Sequence, residues 1–175
     1  MLLQIANVLP PALLKDCQLL GTEDSLFADG RSTAGWHARE RKHNLQARAE
    51  SRVATVLQQV ELALLRHELV VAAARPQRIV RLLLSRYDEG MHYGTHVDDA
   101  LMDGQRTDLS FTVFLSPPDV YEGGSLVIDE PGAERAFRMG AGEMLLYPSS
   151  TLHRVEPVTR GTRLVLVGWI RSYLR

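Results

Sequence analysis

The feature that most constrains the fold is a series of short, apolar, β-rich segments in the second half of the chain. Eight such segments follow Arg78, and turn residues separate them, such as Pro117-Pro118 and Gly123-Gly124. Short strands at this spacing are typical of an antiparallel sandwich or barrel and argue against a βαβ sheet. The predicted strands are 79–87, 92–97, 109–115, 125–128, 135–139, 143–147, 153–158 and 163–171.

Up to about residue 75 the pattern is helical. Proline is tolerated in a first helical turn, so Pro10-Pro11 can begin a helix that runs to Leu20. Segment 50–69 has apolar residues at a spacing near 3.6, which predicts a helix packed on a core. Segment 21–44 is polar and has no assigned element. We therefore expect one α+β, mainly β domain over residues 1–175, with helical support over about 1–75 and a barrel over about 76–175.

Composition excludes several classes of protein. The chain has 175 residues, 45% of them hydrophobic, and no apolar stretch long enough to cross a membrane. Its 20 basic and 21 acidic residues are spread over both halves, so we expect neither nucleic acid nor a membrane as partner. Cys17 is alone, which excludes an intrachain disulfide and a thiolate zinc site. The N-terminus lacks the features of a secretory signal, and we expect a cytoplasmic protein.

Three residues could form a metal site. Residues i and i+2 of a strand point to the same side, so His96 and Asp98 are expected to present an imidazole and a carboxylate together. His153 begins a later predicted strand, and a barrel can bring it opposite this pair. Two histidines and one carboxylate leave about three positions open on a metal, which is the arrangement of non-haem Fe(II) oxygenases.

Arg163 begins a strand that is apolar on both faces and is therefore expected to be buried. A buried guanidinium costs several kcal/mol unless it is paired. Three interpretations stay open: Arg163 lies at solvent, pairs with an internal carboxylate, or binds an anionic ligand.

These residues occur in an ordered set of motifs that resembles a known family. The set comprises Arg86-Tyr-Asp-Glu-Gly90, His96-Val-Asp98, Gly123-Gly-Ser-Leu126, Tyr147-Pro-Ser-Ser-Thr-Leu-His153, and Arg163 with Trp169 beyond it. It resembles the prolyl-4-hydroxylase type of Fe(II)/2-oxoglutarate-dependent dioxygenase, and within that superfamily the bacterial PKHD-type hydroxylases. Thr33-Ala-Gly35 and Arg41-Lys-His-Asn44 extend the likeness more loosely toward the N-terminus.

The resemblance implies a double-stranded β-helix, or jelly-roll, core with N-terminal flanking helices. It implies that His96, Asp98 and His153 bind Fe(II), that Arg163 holds the distal carboxylate of 2-oxoglutarate, and that Tyr87 lines the same pocket. The implied reaction hydroxylates an unactivated C–H bond and releases succinate and CO2, with L-ascorbate as a reductant of oxidised iron. No catalytic residue beyond the metal ligands is implied.

Two other functions remain as alternatives: a cupin-type barrel that uses Zn or Mn for hydrolysis or isomerisation, and a non-catalytic ligand-binding barrel. The substrate is open between a peptidyl residue and a small metabolite, and a homodimer is also open.

For other residues the sequence makes weaker predictions. His92 is a candidate for substrate contact, and segment 100–107 is expected to be a flexible lid. Trp169 is expected either to pack in the core, which is favoured, or to border the cosubstrate. Surface or satisfied polar roles are expected for three histidines, His37, His43 and His67. A dry enclosure around the metal is expected from Leu109, Phe111, Val113, Leu126, Ile128, Val165 and Val167.

Overall fold

The computed structural model describes residues 2–33 and 39–174. Its helices are α1 (Pro11–Gly21), α2 (Ser51–Arg66) and α3 (Glu68–Ala74), with short 3-10 turns at Asp24–Leu26, Gly30–Thr33 and Arg39–Arg41. The predicted helix from Pro11 is confirmed. The predicted helix 50–69 is interrupted, because His67 has an extended backbone (φ −74°, ψ 116°) between α2 and α3.

All eight predicted strands are present, and several further strands occur that the sequence did not reveal. In chain order the strands are β1 (Leu3–Ile5), β2 (Phe27–Asp29), β3 (Lys42–His43), β4 (Leu45–Ala47), β5 (Pro76–Tyr87), β6 (His92–His96), β7 (Leu101–Met102), β8 (Gln105–Arg106), β9 (Leu109–Phe114), β10 (Tyr121–Gly123), β11 (Leu126–Glu130), β12 (Ala133–Phe137), β13 (Met144–Pro148), β14 (His153–Val155), β15 (Val158–Gly161) and β16 (Arg163–Ser172). The predicted strand 153–158 is divided into β14 and β15.

The strands form two main antiparallel sheets. Within the described residues the major sheet has the order β1-β13-β9-β16-β5-β4-β2 and the minor sheet the order β12-β11-β14-β6-β3. The jelly-roll expectation is confirmed. The helical interpretation of the first 75 residues was incomplete, because β1 to β4 lie in these sheets. They are only two or three residues long, too short for a periodic pattern.

The major sheet buries a different core on each face. On one face, Leu84, Val113 and Leu166 pack with the buried residues of the helices, among them Cys17 and Leu64. Burial raises the pKa of the Cys17 thiol to about 12, so this side chain packs as a small apolar group.

The other face of the major sheet meets the minor sheet. There Phe114, Leu145 and Val165 pack against Leu126 and Ile128. The alternation along β16 follows from the two-residue period of a strand, which sends Leu164 and Leu166 to the helices and Arg163 and Val165 inward.

One short segment passes between the sheets. In this crossing segment (residues 42–47), β3 pairs with β6 of the minor sheet and β4 pairs with β5 of the major sheet. It therefore closes one side of the space between the sheets, and its side chains contribute to the cavity described below.

Candidate active site

The structure brings the three predicted metal ligands together. His96 at the end of β6 pairs directly with His153 at the start of β14, and their ring centroids are 4.3 Å apart. Asp98 lies beyond the end of β6, where its N–H donates to the Ser149 carbonyl at 3.2 Å. The expectation that His96 and Asp98 share one strand was wrong. The two side chains nevertheless converge, because the chain leaves the sheet after His96 and is held by Ser149.

The donor atoms are arranged as a metal site requires. His96 Nε2 lies 3.7 Å from one Asp98 carboxylate oxygen, and His153 Nε2 lies 3.8 Å from the other. One ligand atom from each of the three residues lies within 4.8 Å of the others. Within the described part of the chain, no other group of three potential ligands is found.

Backbone carbonyls orient both imidazoles. His96 Nδ1 lies 2.8 Å from the Gly94 carbonyl and His153 Nδ1 lies 2.9 Å from the Thr151 carbonyl, so each Nδ1–H donates and each Nε2 presents its lone pair to the cluster. These carbonyls fix the orientation of the two rings. Burial, with a smaller contribution from His153, lowers the pKa of His96 to about 4, which keeps it neutral as a ligand must be. The residues thus fit a divalent metal such as Fe(II).

Asp98 has its own hydrogen-bond partner. Ser110 Oγ on β9 donates to Asp98 Oδ2 at 2.5 Å and lies 2.9 Å from Ser149 Oγ. Ser110 therefore orients the carboxylate from the major sheet, opposite the histidines of the minor sheet.

We expect Ser110→Ala to weaken metal binding about 10- to 100-fold, the usual effect of losing an outer partner of a metal ligand. Metal content after equilibrium dialysis against Mn(II) measures this. Ser116→Ala is the control, because Ser116 also makes hydrogen bonds but to Thr162 and Leu164. Unchanged affinity in Ser110→Ala would show that Asp98 is oriented by the backbone alone.

Arg163 is buried, with 1% of its surface exposed. Its Nε and Nη1 have no hydrogen-bond partner, while its guanidinium carbon lies 5.0 Å from the centre of the Tyr87 ring and 5.5 Å from that of Phe114. Within the described residues, neither exposure to solvent nor an ion pair accounts for this charge. Burial lowers the pKa of Arg163, and an anion that enters the cavity would offset that cost.

Arg163, Tyr87 and the metal-site cluster line one cavity between the sheets. The other lining residues are Lys42, Asn44, Gln46, Ser85, Tyr93, Val97, Asp99, Met102, Ser110, Phe111, Thr112, Leu126, Tyr147, Val155, Val167, Gly168 and Trp169. This places a potential metal site and an unpaired cation within reach of one small ligand.

Part of the predicted enclosure was wrong. Leu109 and Val113 pack on the helix side of the major sheet and do not line the cavity, since the even-numbered residues of β9, such as Ser110 and Thr112, face the site. Leu126 and Val167 do line the cavity.

Trp169 takes the second of its two expected positions, because it lines the cavity, and its Nε1 has no hydrogen-bond partner. Segment 100–107 contains the β7–β8 hairpin, where Arg81 and Asp103 form an ion pair of 2.7 Å and Met102 lines the cavity. The role of this segment as a flexible lid stays a prediction.

Among the described residues, the histidines outside the cluster do not line the cavity. His92 lies with its ring centre 5.8 Å from that of His43, its neighbour in the β3–β6 pair. His67 lies at the break between α2 and α3. His37 lies outside the described residues. His92 is thus not placed to contact a substrate in this cavity.

Several cavity residues were missed by sequence reasoning. Tyr93 stacks on His96 with ring centres 3.7 Å apart, and Lys42 Nζ lies 5.3 Å from the centre of the Tyr93 ring. Burial lowers the pKa of Lys42 to about 8, against the opposing effect of Asp98. One feature of the sequence could have revealed them, because polar residues alternate at Lys42, Asn44 and Gln46. A strand that buries one face places every second side chain on that face.

A jelly roll with two histidines and one carboxylate facing an open cavity is the arrangement of non-haem Fe(II) oxygenases. Comparison with known proteins agrees with this class. The profile of the 2OG-Fe(II) oxygenase superfamily matches residues 82–171. A PKHD-type hydroxylase of Parvibaculum lavamentivorans is 48% identical over 175 residues, which cover all of this chain and 80% of that protein. One of Synechococcus elongatus is 53% identical over 173 residues, covering 94% of this chain and 78% of that protein.

Solved structures show the same fold. A Pseudomonas putida prolyl-4-hydroxylase superposes with a TM-score of 0.63 at 22% identity, over 98% of this chain and 92% of that one. A Trichoplax adhaerens prolyl hydroxylase, solved with a hypoxia inducible factor peptide fragment, superposes with a TM-score of 0.65 at 16% identity. The superposition covers 97% of this chain and 83% of that one. The chain belongs to the 2OG-Fe(II) oxygenase superfamily. It is a dioxygenase of the hydroxylase type that uses Fe(II) and 2-oxoglutarate.

Proposed function

We propose that His96, Asp98 and His153 bind the Fe(II) of this hydroxylase, and that Arg163 and Tyr87 hold the distal carboxylate of its 2-oxoglutarate. The observation that carries the proposal is the shared cavity, with the three-ligand cluster and the unpaired nitrogens of buried Arg163 on its walls. A zinc or manganese hydrolase would leave this cation without a partner, and a non-catalytic barrel would not need the ligand cluster.

In this proposal the bound iron supplies dioxygen activation, and 2-oxoglutarate supplies two electrons as it becomes succinate and CO2. The net reaction inserts one oxygen atom of O2 into a C–H bond and places the other in succinate. The side chains and backbone of the protein orient the metal ligands and the cosubstrate and shield them from water. Arg163 binds the anionic end of the cosubstrate, Gly94 and Thr151 hold the imidazole tautomers, and Leu126 and Val167 exclude water.

The proposed substrate is a peptidyl residue or a small metabolite that reaches the cavity. The test is a screen for succinate release from 2-oxoglutarate, with Fe(II) and each candidate substrate, compared with turnover in its absence. A substrate is expected to raise succinate release with matching formation of hydroxylated product. If 2-oxoglutarate neither binds to the metal-loaded protein nor yields succinate, the proposal is wrong.

We also propose ascorbate as the reductant that restores oxidised iron, and one domain over residues 1–175. The redox chemistry of the family supports the role of ascorbate. The N-terminal strands that lie in both main sheets support a single domain. No helix in the described residues is long and apolar enough to cross a membrane. A cytoplasmic location, homodimer formation and the lack of nucleic acid binding stay predictions.

A further inference from the structure

The crossing segment presents a row of buried polar side chains to the cavity. Lys42, Asn44 and Gln46 are 6%, 2% and 4% exposed, and all three line the cavity. Their neighbours point elsewhere, since His43 is exposed and Leu45 packs with the helix-side core. Three polar residues buried at alternate positions of an extended segment form a polar wall, where a purely structural segment would bury apolar side chains.

Asn44 is the member of this wall whose hydrogen-bonding capacity is unused. Neither its Nδ2 nor its Oδ1 has a hydrogen-bond partner, although both atoms are fully buried. Gln46, by contrast, donates to Ser85 Oγ at 3.3 Å. A buried amide without partners destabilises a fold, and such a group calls for a specific explanation such as a ligand.

Gly30 makes room for this amide. The Gly30 N–H donates to the Asn44 carbonyl at 2.9 Å, and a Cβ at position 30 would overlap Asn44 Oδ1. The Asn44 side chain can therefore occupy this position only because residue 30, in a separate part of the chain, is a glycine.

Tyr87 connects Asn44 to Arg163. Leu45 pairs with Arg86 between β4 and β5, which places the preceding residue Asn44 opposite Tyr87. The charge of Arg163 and the Asn44 amide both oppose the rise that burial causes in the pKa of Tyr87. Tyr87 and Arg163 are also directly paired between β5 and β16. The amide of Asn44 and the guanidinium of Arg163 thus both lie near one phenol. A carboxylate has about four lone-pair sites, so two bonds from an arginine leave sites for further donors.

We propose that Asn44 is a third binding residue for the distal carboxylate of 2-oxoglutarate, to which its side-chain amide donates a hydrogen bond beside Arg163 and Tyr87. This inference rests on the proposed function, because it requires that Arg163 bind the same carboxylate.

The test uses Asn44→Leu, which keeps the approximate shape of the side chain and removes both polar atoms. Calorimetry of the Mn(II)-loaded protein without oxygen measures the affinity for 2-oxoglutarate. We expect about 10- to 100-fold weaker binding than wild type, the range for one hydrogen bond to a charged group. His43→Leu is the matched control, because it changes the adjacent, exposed residue of the same crossing segment and should leave the affinity unchanged.

A second ligand locates the contact. 2-Oxopentanoate has the same carbon chain and the same metal-binding end but lacks the distal carboxylate. The loss caused by Asn44→Leu should be present for 2-oxoglutarate and absent for 2-oxopentanoate. An equal loss for both would place Asn44 at the metal-binding end and overturn the inference.

Thermal unfolding of the metal-free protein separates binding from structure. Asn44→Leu removes no hydrogen bond from the free protein, so its Tm should not fall. A lower Tm with unchanged 2-oxoglutarate affinity would show a structural role and overturn the inference. Gly30→Ala gives an independent variant that displaces the amide without removing it, and it should weaken 2-oxoglutarate binding in the same direction.

The two proposals fail in different ways. If wild-type protein with Mn(II) does not bind 2-oxoglutarate, the proposed function fails. If wild type binds it and both Asn44→Leu and Gly30→Ala bind it equally well, only the role of Asn44 fails.

Discussion

Asp98→Ala should abolish stoichiometric metal binding, and with it the release of succinate. Asp98 is the anionic member of the cluster, and its two oxygens face His96 and His153 at 3.7 and 3.8 Å. Its removal leaves two neutral imidazoles, and the loss should exceed the roughly 10- to 100-fold effect of losing an outer partner. Equilibrium dialysis against Fe(II) without oxygen measures the bound metal. The charge-transfer absorption of Fe(II) with 2-oxoglutarate should disappear in parallel.

His67→Ala is the matched control for this experiment. His67 lies between α2 and α3, outside the cavity lining, and its loss should leave metal content and turnover unchanged. His153→Ala should reproduce the effect of Asp98→Ala, because both supply donor atoms to the same cluster. Full metal content in Asp98→Ala would mean that the metal is bound elsewhere and would refute the assignment of the site.

Arg163→Met should reduce the affinity for 2-oxoglutarate at least about 100-fold while most metal binding remains. The guanidinium lies on the same cavity wall as the cluster but is not one of its ligands, so the two functions should separate. Loss of an Arg–carboxylate pair removes two charge-assisted hydrogen bonds, each worth about 1.5–3 kcal/mol. Calorimetry with 2-oxoglutarate and metal analysis on the same sample measure the two effects.

The stability of Arg163→Met provides a second readout. In the free protein Arg163 Nε and Nη1 are unpaired, and replacing a buried charge with an apolar side chain of similar volume is often neutral or stabilising. The free energy of unfolding in urea should therefore change little, once the lost ring contacts with Tyr87 and Phe114 are included. A parallel loss of stability, metal and 2-oxoglutarate binding would identify Arg163 as structural.

Sequence reasoning identified the fold class and the family from residue type and order. It proposed the donor set of His96, Asp98 and His153 together with Arg163 because these residues stand in one ordered series of motifs, and the structure places all four on one cavity. Sequence reasoning failed where it had to predict the direction in which a side chain points. Asp98 was placed on the strand of His96, and Leu109 and Val113 were placed facing the metal, although the opposite face of β9 does so. A strand's period gives two faces, but it does not say which face meets which layer.

The first third of the chain was the least predictable part. Its strands β1 to β4 are too short to show a period, and they exist because longer strands elsewhere offer pairing partners. In the sequence, Lys42 and Asn44 are therefore only polar residues of an unassigned segment. In the structure, the pairing of this segment with β6 and β5 places both residues in the cavity wall.

The sequence by itself determined the class of fold, the ligand types and the family, because apolar periodicity and chemically distinctive side chains are local properties. Tertiary structure alone decided the His96–His153 pairing, the convergence of Asp98 with Ser110, and the entry of Asn44 beside Tyr87. Each of these depends on register between segments far apart in the chain. Register is set by the packing of two sheets and a helical layer at once, and no single segment of sequence contains that information.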